Sequence, residues 1–148
     1  TPVNLAAALI TAAKAAAATM RVQWQFLPAV DAAEGADRAK LNQFMARAFD
    51  NMWPQLLARP EPLLFTDAAV LARYGLADRL APVTNLAVPR PAARWILVPH
   101  RAAQAVPTFD GAPVPLGADG WLDLPASLLP PTHLPSSAGD VIQLRRGA

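Results

Sequence analysis

The chain has no cysteine among its 148 residues. That removes disulfides, iron–sulfur clusters, thiol nucleophiles and the usual structural zinc sites together. It also fits a reducing, cytoplasmic setting. Histidine is scarce: His100 and His133 are the only two, and no HExxH spacing accompanies them. Charged residues are only 16% of the chain, which disfavours disorder through self-repulsion. The net charge of +2 is too small to argue by itself for a nucleic-acid partner. No apolar run is long enough to span a bilayer. The alanine-rich stretch 3–18 is interrupted by Lys14 and lacks a basic leader, so it is not a signal peptide. Phosphate-binding motifs are missing too. Neither GxxxxGK[ST] nor GxGxxG occurs, and Gly111, Gly117 and Gly120 suit turns. Ser127, Ser136 and Ser137 have no GxSxG elbow, so nothing supports a serine hydrolase. No cofactor and no metal is implied.

What is present predicts an α/β fold: a small, mainly parallel three-stranded sheet with crossover helices, then a β-hairpin or meander and an irregular proline-rich tail. One domain is expected over 1–125, opening on an alanine-rich helix within 1–20, and a Pro/Ser/Gly-rich tail over 126–148. The start at Thr1 rather than Met suggests an excised piece of a longer protein. The heavy Ala, Arg and Pro usage suggests a GC-rich bacterial genome.

Alanine, the best helix former, dominates 3–19, with Pro2 at a helix start. Val22, Trp24 and Phe26 alternate with polar residues, the period of a half-buried strand, ended by Pro28 and followed by a loop over 30–35. Leu41, Phe44, Met45, Ala48, Met52 and Leu56 mark an amphipathic helix over 37–57, capped by Asp37 or Asp31 and kinked or ended at Pro54. Leu63, Leu64 and Phe65 form a short buried strand. Asp67 is placed to cap the helix that follows, and Gly75 to stop it. Trp95 to Val98 are apolar without interruption, as in a strand covered on both faces. The pair Asp110-Gly111 signals a hairpin between strands at about 106–109 and 112–116. Trp121 to Leu124 suit a last short strand, and residues 141–144 have the pattern of a docking edge strand. Trp24, Trp53, Trp95 and Trp121 are all expected in the core.

Candidate site residues follow from this layout. Thr66 and Asp67 lie at the carboxyl end of a buried strand, where ligands sit in open α/β sheets. A carboxylate there could hold a cation or orient water, although helix capping accounts for Asp67 completely. His100 and Arg101 follow another strand and together could bind an anion; a solvated histidine beside a strand end is the competing reading. Arg94, Arg145 and Arg146 could meet nucleic-acid phosphates, or, for the last two, simply keep a terminus solvated.

The run LLFTDAAVLARYG, followed by RWILVPH and PTFDGAPVPL, resembles the C-terminal region of BREX/Pgl-type bacterial phage-defence proteins, most of all their kinase-bearing component. The stretch RVQWQFLPA and the helix 37–57 resemble the same region, so the likeness covers roughly residues 20–125. Its motifs are short and mostly apolar. The resemblance implies a bacterial antiviral protein acting with a methyltransferase, a phosphatase-like protein and an ATPase. The kinase signatures of a Gly-rich loop, strand lysine, HRD and DFG match no position, so no functional residue carries over.

The expectation is therefore a non-catalytic interaction or regulatory domain of a multidomain cytoplasmic defence protein. Its partners would be other domains of the parent or other defence components. Two alternatives stand beside it. One is a small nucleotide-binding or hydrolytic α/β domain using Thr66, Asp67 and His100; the other is a weak nucleic-acid-binding module.

Overall fold

The alternation within Leu63–Thr66 decides where the rest of the chain packs. Leu63 and Phe65 are buried while Leu64 is exposed, so this four-residue strand has one face in the core and one in solvent. The computed structural model describes residues 1–32, 35–99, 106–116 and 120–124. In chain order these form β1 (Pro2–Asn4), α1 (Leu5–Met20), a 3-10 turn (Trp24–Phe26), α2 (Leu27–Ala32), α3 (Ala36–Leu57) and β2 (Leu63–Thr66). There follow α4 (Ala69–Arg73), a second 3-10 turn (Ala77–Leu80), α5 (Ala81–Thr84), β3 (Arg94–Ile96), β4 (Thr108–Phe109) and β5 (Ala112–Pro113).

The fold is α/β. A three-stranded sheet runs in the order β1-β2-β3 with both pairings parallel, and β4 and β5 form a separate antiparallel pair. Parallel neighbours need crossover connections, and here α1 to α3 join β1 to β2 while α4 and α5 join β2 to β3. Because the strands follow one another in sequence order, right-handed crossovers carry every helix to the same face of the sheet. The core lies on that side. Leu5, Leu9, Ala13 and Ala17 give α1 a buried stripe of small and medium side chains at i, i+4 spacing. They pack against Leu41, Met45, Ala48, Phe49 and Trp53 of α3. Trp53 then links helix to sheet: its ring stacks on Phe49 at 5.1 Å and meets Phe65 of β2 at 5.1 Å, distances at which aromatic pairs attract.

Several sequence expectations need correction. Val22, Trp24 and Phe26 form no strand; they run through the 3-10 turn into α2. Pro28 does not end this segment, because an amide missing from a helix's first turn costs no internal bond. α2 continues to Ala32, inside the span expected as loop. The third strand of the sheet is instead β1, whose Pro2 lies at its start and not at a helix start. α3 runs on through Pro54, which removes only the bond to the carbonyl of exposed Asp50. Its N-cap is Gly35, with no side chain bonded; Asp37 sits in the first turn. Trp121 to Leu124 form no strand and are exposed, and the expected turn and tail around and beyond them fall largely outside the described residues.

Two turns match their signals. Gly75 (φ 68°) ends α4 in a Schellman arrangement, its N–H bonding Ala72 O while Leu76 N–H bonds Leu71 O, and both leucines are buried. Asp110 (φ 47°) and Gly111 (φ 85°) both take positive φ, as a type I′ hairpin turn requires, and the hairpin inserts Phe109 into the core. A Cβ on Gly111 would meet nothing within 4 Å, so any penalty there is backbone strain alone. Gly111→Val should therefore cost about 1 kcal/mol of stability. Urea unfolding midpoints of the two proteins check this, and equal midpoints would refute the turn argument.

Candidate functional site

The carboxyl ends of β1 and β2 bring Asn4, Thr66 and Asp67 together, since Asn4 and Thr66 are register partners. Asn4 ends its strand and caps α1: its Oδ1 accepts from Ala7 N–H at 2.8 Å. Its Nδ2 donates to Asp67 Oδ2 at 2.5 Å, and the Thr66 hydroxyl approaches the same oxygen at 3.4 Å. Asp67 does not cap α4. The cap position is Ala68, without a side-chain bond, while Asp67 sits at φ 53° with its carboxylate turned to Asn4. A non-glycine residue at positive φ is uncommon and marks a constrained turn. Among the described residues the cluster offers one carboxylate, one amide and one hydroxyl. Among the described residues no group of three or more His, Cys, Asp or Glu is placed to hold a metal ion.

His100 and Arg101 lie outside the described residues, as do Arg145 and Arg146. Arg94 is described, and its side chain is directed inward. It is 7% exposed and donates to the carbonyls of Leu57, Glu61 and Ala93 at 2.9–3.0 Å, and to that of Arg59. Its guanidinium thus satisfies the last carbonyl of α3, that of Leu57, together with carbonyls of the segment that follows, at a helix end where the dipole favours a cation. The same bonds fix the entry to β3 against the exit from α3.

Sequence reasoning missed two further features. The first is an ion-pair cluster joining α2, α3 and α4. Arg38 Nη1 lies 2.9 Å from Asp31 Oδ1, Arg73 Nη2 lies 2.7 Å from Asp31 Oδ2, and the Arg73 Nε–H also donates to this carboxylate. The Arg38 guanidinium bonds the carbonyl of Arg73 at 3.0 Å and sits over the Tyr74 ring at 5.6 Å. Partial burial pulls the Asp31 carboxyl upward, but the Arg73 hydrogen bond, the charges of Arg73 and Arg38 and a bond with Tyr74 outweigh it and hold it below the ordinary carboxylate value. Burial, joined by the nearby Asp31 charge, raises the Tyr74 hydroxyl above the usual phenol value. The signal was present in Asp31 and Arg73 but 42 residues separate them, so no local pattern pairs them.

The second feature is the open face of the sheet. Register places Pro2, Leu64 and Trp95 in one row across it, and Leu97 follows Trp95 on the same side. Trp95 is 60% exposed, Leu97 40% and Leu64 38%. The strand at Trp95 is therefore covered on one face and not on both. Of the four tryptophans only Trp53 is a core residue; Trp24 is half-buried and Trp121 exposed. No helix among the described residues is long and apolar enough to cross a membrane.

Comparison with protein-family models, curated proteins and solved structures gives no match.

Two stability predictions follow from the polar contacts. Arg94→Met should destabilise the domain by about 1–2 kcal/mol, because it strands part-buried carbonyls, and Arg94→Lys should recover only part of that loss. Denaturant unfolding checks both, and a neutral Arg94→Met would remove the capping role. Asp31→Asn should cost roughly 0.5–1 kcal/mol at pH 7. Since the folded state lowers the Asp31 pKa, its contribution is complete above the unfolded value of about 3.9 and fades as pH falls through the folded one. The gap between Asp31→Asn and the parent should thus close on going from pH 7 to pH 3, and a gap that widened would contradict the assignment.

Proposed function

We propose that the chain is a non-catalytic interaction or regulatory module, part of a multidomain cytoplasmic protein of bacterial antiviral defence. Its partners are other domains of that protein or other components of the defence system. The observation that carries this reading is the uncovered face of the parallel sheet. Parallel sheets are characteristically covered on both faces, and this one leaves Leu64, Trp95 and Leu97 in solvent. An aromatic anchor within a small apolar patch is the usual centre of a docking surface. The defence context rests on the resemblance of residues 20–125 alone.

A second reading has one observation in its favour. Asn4, Thr66 and Asp67 meet at the strand ends where α/β domains bind ligands, with Asp67 held at positive φ. A nucleotide-binding or hydrolytic domain would use this carboxylate.

One experiment separates the two. Trp95→Ser and Leu97→Ser, introduced into the full-length parent, should cost no more than about 1 kcal/mol of stability because both side chains lie on the exposed face of the sheet. Each should weaken association with the methyltransferase, phosphatase-like or ATPase component by about 30-fold, the scale of an interface hot spot, and phage restriction should fall with it. Unchanged association and restriction in both variants would defeat the interaction reading. Loss of restriction in Asp67→Asn alone would favour the second.

A further inference from the structure

Residues 22–32, which lie between α1 and α3, are held differently from the elements on either side. No residue of the 3-10 turn Trp24–Phe26 or of α2 is buried. Trp24, Leu27, Val30 and Asp31 are half-buried, and the other positions of 22–32 are exposed. Their i, i+3, i+6, i+7 spacing puts these four on one side of a helical segment. The turn lies against α1 and α2 lies against α3. Trp24, Leu27 and Val30 pack against the core, and Lys14 of α1 sits over the Trp24 ring at 5.6 Å. Asp31 supplies the polar attachment. Its carboxylate meets Arg38 of α3 at 2.9 Å and Arg73 of α4 at 2.7 Å, and its main-chain carbonyl accepts from both guanidiniums. Arg21 on one side takes φ 56° and Gly35 on the other takes φ 115°. Residues at the ends of elements are where hinge rotations are absorbed.

We propose that residues 22–32 form a latch that opens and closes as one unit over α1 and α3, with Asp31 as its catch on Arg38 and Arg73. The flanking helices bury side chains fully, Leu5 and Leu9 on α1 and Phe49 on α3, whereas the latch buries none. The apolar part of its attachment is therefore a fraction of theirs. Segments with few buried apolar contacts open well before the domain as a whole. The catch is suited to repeated release. The Asp31 and Arg38 side chains are 23% and 24% exposed and that of Arg73 is 49% exposed, so water replaces these bonds readily when the segment lifts. Opening uncovers Trp24, Leu27 and Val30 and the parts of α1 and α3 beneath them. Those two helices also pack directly on each other, so their own seam stays closed. The latch uses neither the open face of the sheet nor the strand-end cluster, and it stands apart from both functional readings.

Native-state amide exchange on the full chain tests it. The reporters are Phe26, whose N–H bonds Gln23 O at 3.2 Å, and Leu27, whose N–H bonds Trp24 O; the buried Phe49 of α3 is the reference. The two reporters should share one degree of protection, about tenfold or more below that of Phe49. Low urea should reduce Phe49 protection steeply and theirs little, because lifting the latch exposes little surface. Asp31→Asn should speed both reporters by about two- to fivefold from the far end of the segment, the range for a partly solvated ion pair. Asp37→Asn removes the same charge from the exposed pair with Lys40 and should leave the reporters unchanged. Reporters as protected as Phe49, and losing protection with it in urea, would mean no separate opening and overturn the proposal. So would reporters without any protection, an Asp31→Asn variant that leaves them unchanged, or an Asp37→Asn variant that speeds them equally.

Discussion

A handedness constraint governs the architecture. Three parallel strands lie in the order β1-β2-β3, and crossovers of the right-handed kind that is the rule for parallel units carry the helices between such strands to one side. Covering the second face would require the strand order to reverse, as it does in doubly wound sheets. This chain contains no such reversal among its described strands. The one-sided core and the exposed row through Leu64 and Trp95 are thus two results of a single topological fact. The alternation within Leu63–Thr66 agrees with it, with leucine and phenylalanine inward and leucine and threonine outward. The packing of alanine-rich α1 agrees as well. Small side chains let that helix approach α3 and the sheet closely, which a single covering layer must do to bury its strands.

Polar groups then hold the layer in place at its seams. Arg94 closes the junction between the end of α3 and the start of β3, and Asp31 gathers Arg38 and Arg73 where α2, α3 and α4 meet. The two differ in kind. The Arg94 bonds are part-buried and run from a buried guanidinium to carbonyls, so losing the side chain leaves acceptors poorly satisfied. The Asp31 pairs are partly solvated and worth little each. Asn4 serves both ends of one junction, finishing β1 and starting α1, and its remaining amide group restrains Asp67. That economy explains why these strand ends are held in place.

The elements legible in the sequence were those whose signal is local. The hairpin at Asp110-Gly111 and the stop at Gly75 depend on backbone conformations that glycine and aspartate permit and most residues resist. The strands at Leu63–Thr66 and Arg94–Ile96, and their parallel pairing, followed from short apolar runs separated by a helix. β1 was not legible, because three residues with a single aliphatic side chain carry no periodicity. Val22, Trp24 and Phe26 misled because three alternating apolar residues fit a tight turn as well as a strand. The site was less legible than the fold. Thr66 and Asp67 were placed correctly at a strand end, but Asn4, their partner across 63 residues, has no local mark. Arg94 looked like a surface cation because nothing in its neighbours shows that four carbonyls converge on it.

The pairing of β1 with β2 has a kinetic side. The Thr1 nitrogen donates to Pro62 O, a contact that closes a loop of 61 residues. Loop closure of this length must be met before the ladder returns any stabilisation. The helical hairpin of α1 and α3 is the element able to shorten that search, since its own contacts bring the two strands' ends together. Refolding should accordingly be controlled by helix docking, with the sheet assembling last and β1 the first strand to leave when the domain opens.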